Sequence, residues 1–530
     1  MAIYEINSFS GISDYADRGI TGSFKMGRNL DVRKIDDTLS CGQALVDEGL
    51  NSSASPSASS SPSSSVSRSP SPSVSLSPSE TPSPSASASP SSSSSLSPSP
   101  TPSSSISSSP SPSGGLTTVF ADLIKWFVKG SDGYVYGFGN TGYIYRRDDD
   151  GFWIVVYKDP GGEITGAAEF PNDSNETYLY WVTGTSLHRK KVPGRSDWND
   201  VDEGDDWPKT NLNSADYHTM VVAAGQLHIA NRSWLALVGL DESFTNESLN
   251  LIPGNYVKTL VERGGRVNIG TFRNSDPNKG INAAIDCEIP MAQVGDEGEL
   301  YYANMVDSVP IKQFPGGGKC NPGGVTNQTD QVNFFEWEST ALSWIDKQSV
   351  GNMSMWGVHS ATTNYNGVYS YGRKNKNHPF TMNMDYWLEV DEIGAIANKD
   401  GIDLISYQEG TDFGVKATDT TAKAVGYYEG LELKAKTDKV VADITGWRVA
   451  EIYCEPLPDG SKIEFQYKLD KSGDWITAYM ANGSSDFDEA LETKAIFNIA
   501  EKGDIFEPRI VITPTGNTSP EIHRCRFYFN

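Results

Sequence analysis

The chain has 530 residues and a formal net charge of −25, from 68 acidic and 43 basic side chains. That length admits three or four domains. A surface of this sign repels phosphate, and duplex binding needs clustered Lys and Arg to release counterions, so no specific nucleic-acid binding is expected. Nowhere do eighteen apolar residues run together, so membrane insertion by a spanning helix is not expected either.

Met1 to Phe9 lacks a basic n-region and an apolar h-region and does not read as a signal peptide. Residues 1–51 form an arm in which Leu30-Asp31-Val32-Arg33-Lys34-Ile35 reads as a strand and Thr38-Leu39-Ser40-Cys41 as a candidate second one. A piece this short cannot build a core without staples, so it must dock on the main body. Residues 52–115 are a Ser/Pro tract, almost unbroken from Ser52 to Pro112. The tract has too little apolar surface to offset the entropy of ordering and is expected to be a disordered spacer or loop. In extended polyproline II it would reach ~190 Å, as a flexible coil ~45 Å. If the arm docks on its own chain, the tract is an insertion inside the fold and not an interdomain linker.

From Leu116 the pattern changes. Ile124–Val128, Tyr134–Phe138, Tyr143–Arg146 and Trp153–Tyr157 are short, aromatic and β-branched, with Asp132-Gly133, Asn140-Thr141-Gly142 and Asp150-Gly151 between them. Asp-Gly permits φ > 0 at both central turn positions, so these segments form a four-stranded meander with the size of one propeller blade. The unit recurs from Ile164, Met220 and Val257, roughly forty residues apart, with further turns at Asn366-Gly367 and Asp400-Gly401. Residues 116–440 are therefore expected to be a β-propeller of six or seven blades. Residues 441–530 are expected to be a β-sandwich, with strands at Trp447–Tyr453, Ile463–Leu469, Trp475–Tyr479, Pro508–Thr513 and Ile522–Phe529. Within Phe487–Ala500, Leu491, Ala495, Ile496 and Ile499 suit a helix face, while Ala495–Ile499 also reads as a strand.

The residues offer little chemistry. None of His188, His218, His228, His359, His378 and His523 stands at H-x-x-x-H spacing or beside a Cys pair, so no metal site is assigned. His228, in Leu227-His228-Ile229, is expected to face outward. Cys41, Cys287, Cys320, Cys454 and Cys525 form no C-x-x-C pair and read as reduced thiols, with Cys454 and Cys525 free to approach each other. Asp200–Asp206 fails the EF-hand pattern, because Glu203 stands at position five and no Glu closes position twelve. It reads as a solvated acidic loop, as does Asp148-Asp149-Asp150. Asp470-Lys471-Ser472-Gly473-Asp474-Trp475 resembles a sialidase box only faintly, and no nucleophile elbow, P-loop or H-E-x-x-H occurs. The N-x-S/T triplets at Asn175, Asn231 and Asn517 are read as chance matches. Trp126, Trp153 and Trp181 are expected in blade cores. No catalytic, cofactor-binding or metal residue is assigned, no cofactor is called for, and the chain is not expected to be an enzyme.

Phe9-Ser10-Gly11-Ile12-Ser13 leading into Leu30-Asp31-Val32-Arg33, the Ser/Pro tract, the hairpins, and the closing Lys494-Ala495-Ile496-Phe497, Glu507–Ile512 and Thr518–Ile522 together resemble tailed-bacteriophage structural proteins of the tail or neck. The architecture is also similar to podovirus tail-nozzle propellers. The resemblance implies a non-enzymatic virion component, assembled in the bacterial host cytoplasm. Its implied partners are other virion proteins and copies of itself in a ring. A receptor-recognition propeller that binds or cleaves host surface glycans is the alternative. The acidity either lines a channel in such a ring, with Asp148–Asp150 and Asp200–Asp206 as its carboxylates, or keeps an edge-exposing β protein soluble.

Overall fold

The computed structural model describes residues 2–6, 11–12, 23–24, 26–31, 38–50, 120–192, 198, 200–204, 206–250, 255–263, 266–273, 282–286, 303–305, 344–345, 353–358, 366–372, 381–431, 433–434, 446–470 and 473–529. The protein is all-β, and no helix occurs among the described residues. The Ser/Pro tract and its expected disorder lie outside them.

A β-propeller is built from antiparallel sheets that succeed one another along the chain. The first blade is Ile124–Lys129, Val135–Gly139, Tyr143–Arg147 and Trp153–Lys158, a plain meander. The second has Ile164–Pro171, Thr177–Thr183 and Ser186–Val192, and the third Met220–Ala223, Gln226–Asn231, Trp234–Val238 and Phe244–Asn250. The fourth is Asn255–Arg263, Arg266–Arg273, Asn282–Asp286 and Ala303–Met305. Among the described residues a fifth contains Met353–Val358, Gly367–Gly372 and Thr381–Trp387, and a sixth Glu392–Lys399, Ile402–Glu409 and Asp412–Lys423. The leading strands of the first four blades pack side by side in order. The leading strand of the fifth packs on that of the sixth, and the sixth returns to the first. Separate apolar cores fill the seams: Trp126, Phe138 and Trp181 between the first two blades, Tyr180, Leu227 and Ile229 between the second and third. Both faces of a blade are thus covered. That is why Thr177–Thr183 is buried at six successive positions instead of alternating.

Trp126, Trp153 and Trp181 sit in these cores, 5%, 0% and 0% exposed. The expected positive φ at both turn residues holds at Asp400-Gly401 (54° and 86°). At Asp132-Gly133 and Asp150-Gly151 only the glycine adopts it. There the Asp132 carboxylate accepts from the Tyr134 amide at 3.1 Å, and the Asp148 carboxylate from the Phe152 amide at 2.8 Å, which closes wider turns.

The arm departs from expectation in detail. Of the predicted strand, Leu30–Asp31 is extended and paired with Ser40–Cys41, and residues 32–37 lie outside the described set. Gln43–Asp47 enters the propeller as the fourth strand of the sixth blade, beside Asp412–Lys423. Ala2–Ile6 pairs with Ile522–Phe529, and Met26–Arg28 lies between Thr381–Trp387 and Gly426–Glu429.

The C-terminal sandwich consequently recruits strands from outside residues 441–530. One sheet runs Ala2–Ile6, Ile522–Phe529, Gly446–Cys454, Lys494–Lys502. The other contains Gly426–Glu429, Ile505–Thr513 and Lys462–Leu469, and continues through Met26–Arg28 into the fifth blade. Phe465, Phe497, Phe506 and Phe527 fill the space between the sheets. Lys494–Lys502 is a strand whose Ala495, Phe497 and Ile499 point inward, so the helical alternative at Phe487–Ala500 is excluded. Only Ile476–Thr477 of the predicted Trp475–Tyr479 strand is extended.

Candidate functional site

One polar cluster joins the arm to the first blade. Glu48 leaves the sixth-blade strand and is 8% exposed. Its carboxylate accepts from Arg147 Nε at 2.9 Å and Nη2 at 2.5 Å, and from Trp153 Nε1 at 2.6 Å. The Trp153 amide donates to the Gly49 carbonyl at 3.0 Å. On the other side of the Ser/Pro tract, Phe120 packs edge-on against Trp153. The Glu48 amide donates to the Val415 carbonyl and the Phe120 amide to the Phe413 carbonyl, both at 2.8 Å. The chain therefore leaves and re-enters the described structure at carbonyls two residues apart on one strand, ~7 Å at the usual rise.

Further carboxylates brace the blades, with Asp122, Asp159 and Asp403 buried and Asp391 exposed. Asp122 accepts from the Thr141 amide (2.7 Å) and hydroxyl (2.8 Å) and from Tyr145 Oη (2.8 Å). Burial raises the Asp122 carboxyl above its ordinary range and raises Tyr145 further still, helped there by the Asp122 charge. Asp159 accepts from Trp181 Nε1 at 2.6 Å, and Asp391 from the Gly410 amide at 2.7 Å. In three blades, then, an Asp shortly before the leading strand reaches into the same blade, to the turn after the second strand or to that strand itself. The signal for it in the sequence is an Asp just ahead of the strands that begin at Ile124, Ile164 and Glu392. Asp403 accepts from Tyr386 Oη (2.5 Å) and Asn398 Nδ2 (2.5 Å). Each of these carboxylates is held by donors from its own scaffold, a bracing arrangement.

The histidines are dispersed. His218 is fully buried; Nδ1 lies 2.8 Å from Thr165 Oγ1 and Nε2 2.9 Å from the Asn213 carbonyl. His228 is 1% exposed, which corrects the outward-facing expectation. Its Nε2 is 3.3 Å from the Ala223 carbonyl, while Nδ1 is buried with no partner. Burial lowers both imidazoles to about 4. His188 contacts Asp202 at 2.7 Å; burial pulls its pKa down, but the Asp202 hydrogen bond and charge outweigh this and raise it. His359 and His378 lie outside the described residues. No group of three metal-ligating side chains occurs among the described ones.

Asp200–Asp206 is not simply solvated. Residues 200–204 and 206–209 run beside Ser186–Val192, bridging Lys190 to Val201 and Leu187 to Lys209, where other blades carry a fourth strand. Asp200 pairs with Lys190, and Asp202 accepts from the Arg189 amide at 2.9 Å. Asp148–Asp150 is a third-to-fourth-strand turn. Asp470 accepts from the Asp504 and Ile505 amides at 2.7 and 3.0 Å, a turn cap. Cys41, Cys454 and Cys525 are buried free thiols, with Cys454 pushed up to about 11 by burial, while Cys287 and Cys320 lie outside the described residues. Asn231 is fully buried and donates to the Asn246 carbonyl at 2.8 Å.

No protein-family model matches the chain, and no curated protein is significantly similar to it. Among solved structures, an exo-beta-1,3-galactanase from Phanerochaete chrysosporium with galactose is 7% identical, covering 77% of this chain and 96% of that one at a TM-score of 0.28. A streptogramin B lyase is 7% identical over 57% and 96%, TM-score 0.29, and the WD40 beta propeller domain of Doa1 is 11% identical over 57% and 95%, TM-score 0.31. Likeness at this level carries no residue across, and the propeller assignment stands on the sheets and seams described above.

Proposed function

We propose that the protein is a non-enzymatic structural component of a tailed-phage virion, at the tail tip, tail end or neck. It assembles there with other virion proteins and with copies of itself in a ring. The observation that carries this reading is the course of the arm. Residues 2–50 contribute strands to both sandwich sheets, to the fifth-blade sheet and to the sixth blade, then clamp the first blade. Such stitching ties chain segments hundreds of residues apart into one cooperative body, which favours slow unfolding outside a cell. The outermost strand of the sandwich, Ala2–Ile6, leaves Ile3 and Tyr4 about half exposed (54% and 43%), an edge suited to protein contacts. The order of motifs resembling phage tail and neck proteins supports the same reading.

The test is immunogold labelling and peptide mass spectrometry of purified virions. Labelling confined to the tail or neck is expected. A protein abundant in infected cells but missing from purified particles would reject the proposal.

A further inference from the structure

A cavity of about 360 Å³ opens beside the third and fourth blades, lined by Ser214, Asp216, Tyr217, Arg232 and Tyr256 among others. This size is at the lower end of small-molecule sites, ~300–1,000 Å³. Arg232 occupies the turn between Gln226–Asn231 and Trp234–Val238 at φ 59°. Equivalent turns of the second and sixth blades hold Gly184 at φ 59° and Gly410 at φ 60°. Glycine takes this conformation without strain and arginine does not, so blade three keeps a side chain where the second and sixth blades dispense with one.

That side chain is fixed in place. Arg232 Nε donates to the Ser214 carbonyl at 2.6 Å, and the Arg232 carbonyl accepts from the Val257 amide at 2.7 Å. The Asn213 amide donates to Asn231 Oδ1 at 2.8 Å, anchoring the loop that carries Asp216 and Tyr217. The guanidinium lies 6.0 Å from the Tyr256 ring and makes no ion pair among the described residues.

We propose that this cavity binds a pyranose unit bearing vicinal hydroxyls. Each sugar hydroxyl both donates and accepts, matching a guanidinium donor beside a carboxylate acceptor. Tyr217 and Tyr256 line the same cavity, and aromatic rings suit the C–H side of a sugar ring. Asp216 disfavours a phosphate-rich ligand, and the mostly polar wall disfavours a lipid. The site is independent of the virion role.

Saturation-transfer NMR on the full-length protein tests it, using a methyl hexoside, a methyl N-acetylhexosaminide and a methyl hexuronide. Transfer to ring protons of at least one glycoside is expected. Arg232→Gly, which relieves the turn, should retain the wild-type melting temperature and bind roughly tenfold or more weakly. Absence of transfer from all three glycosides, or unchanged binding by the folded R232G protein, overturns the proposal.

Discussion

Acidification from about pH 7 to about pH 4.5 should cost the protein several kcal/mol of stability through His218 and His228. Both are buried in the folded state with pKa lowered from 6.5 to about 4. Below 6.5 the unfolded chain binds protons that the native state refuses, so stability is full above that value and falls as pH drops toward 4. A shift of this size corresponds to about 3 kcal/mol per histidine once fully expressed. For His228 the structural reason is plain: a proton on Nδ1 would place a charged donor in a seam that offers it no acceptor. For His218, burial dominates and the nearby Arg232 charge adds to it. Asp122 and Glu169, raised mainly by burial, act in the opposite sense, because protonating them relieves the native state. The comparison must therefore be made against a histidine variant. Urea unfolding of wild type and His228→Leu at both pH values should show a smaller acid loss in the variant by about 2–3 kcal/mol. Parallel losses would show that His228 does not titrate in the unfolded chain alone.

His228 also shows where the sequence was legible and where it was not. Strand positions and turn glycines could be read because aromatic and β-branched runs and Asp-Gly pairs are local signals. The facing of a strand residue could not, since alternation assumes one solvated side and a propeller blade packs on both; Leu227, His228 and Ile229 are all buried. Gln43–Asp47 is too short and too ordinary to declare itself, and its partner strand begins at Asp412. The sandwich's further strands are hidden for the same reason, because Ala2–Ile6 and Gly426–Glu429, outside residues 441–530, find their sheet by long-range pairing. The sugar-sized cavity combines a loop, a turn and the start of the next blade. In sequence its only trace is an arginine between Asn231 and Ser233, where a turn favours glycine.

The arm's grip on the first blade should be the largest single contributor to closure. Replacing Glu48 by Ala strands Arg147 and the Trp153 indole N–H in a buried seam, and losing one partner of such a pair costs on the order of 3–5 kcal/mol. Glu48→Gln keeps one acceptor and should lose less. A chain beginning at Leu116 lacks both Gln43–Asp47 and Glu48, leaving the outer edge of Asp412–Lys423 unpaired, and should fail to fold cooperatively. Deleting Ser52–Pro112 and joining the ends with a short Gly/Ser link should do the reverse. The flanks are already anchored two residues apart on one strand, so shortening the connection changes closure entropy by only ~1–2 kcal/mol, in the stabilising direction. Thermal and urea unfolding of the four proteins would rank them: the deletion at or slightly above wild type, then E48Q, then E48A, with the truncation unfolded. A truncated chain as stable as wild type would mean that the propeller closes without its N-terminal strand. Loss of folding in the deletion would mean that the Ser/Pro tract is part of the folded body.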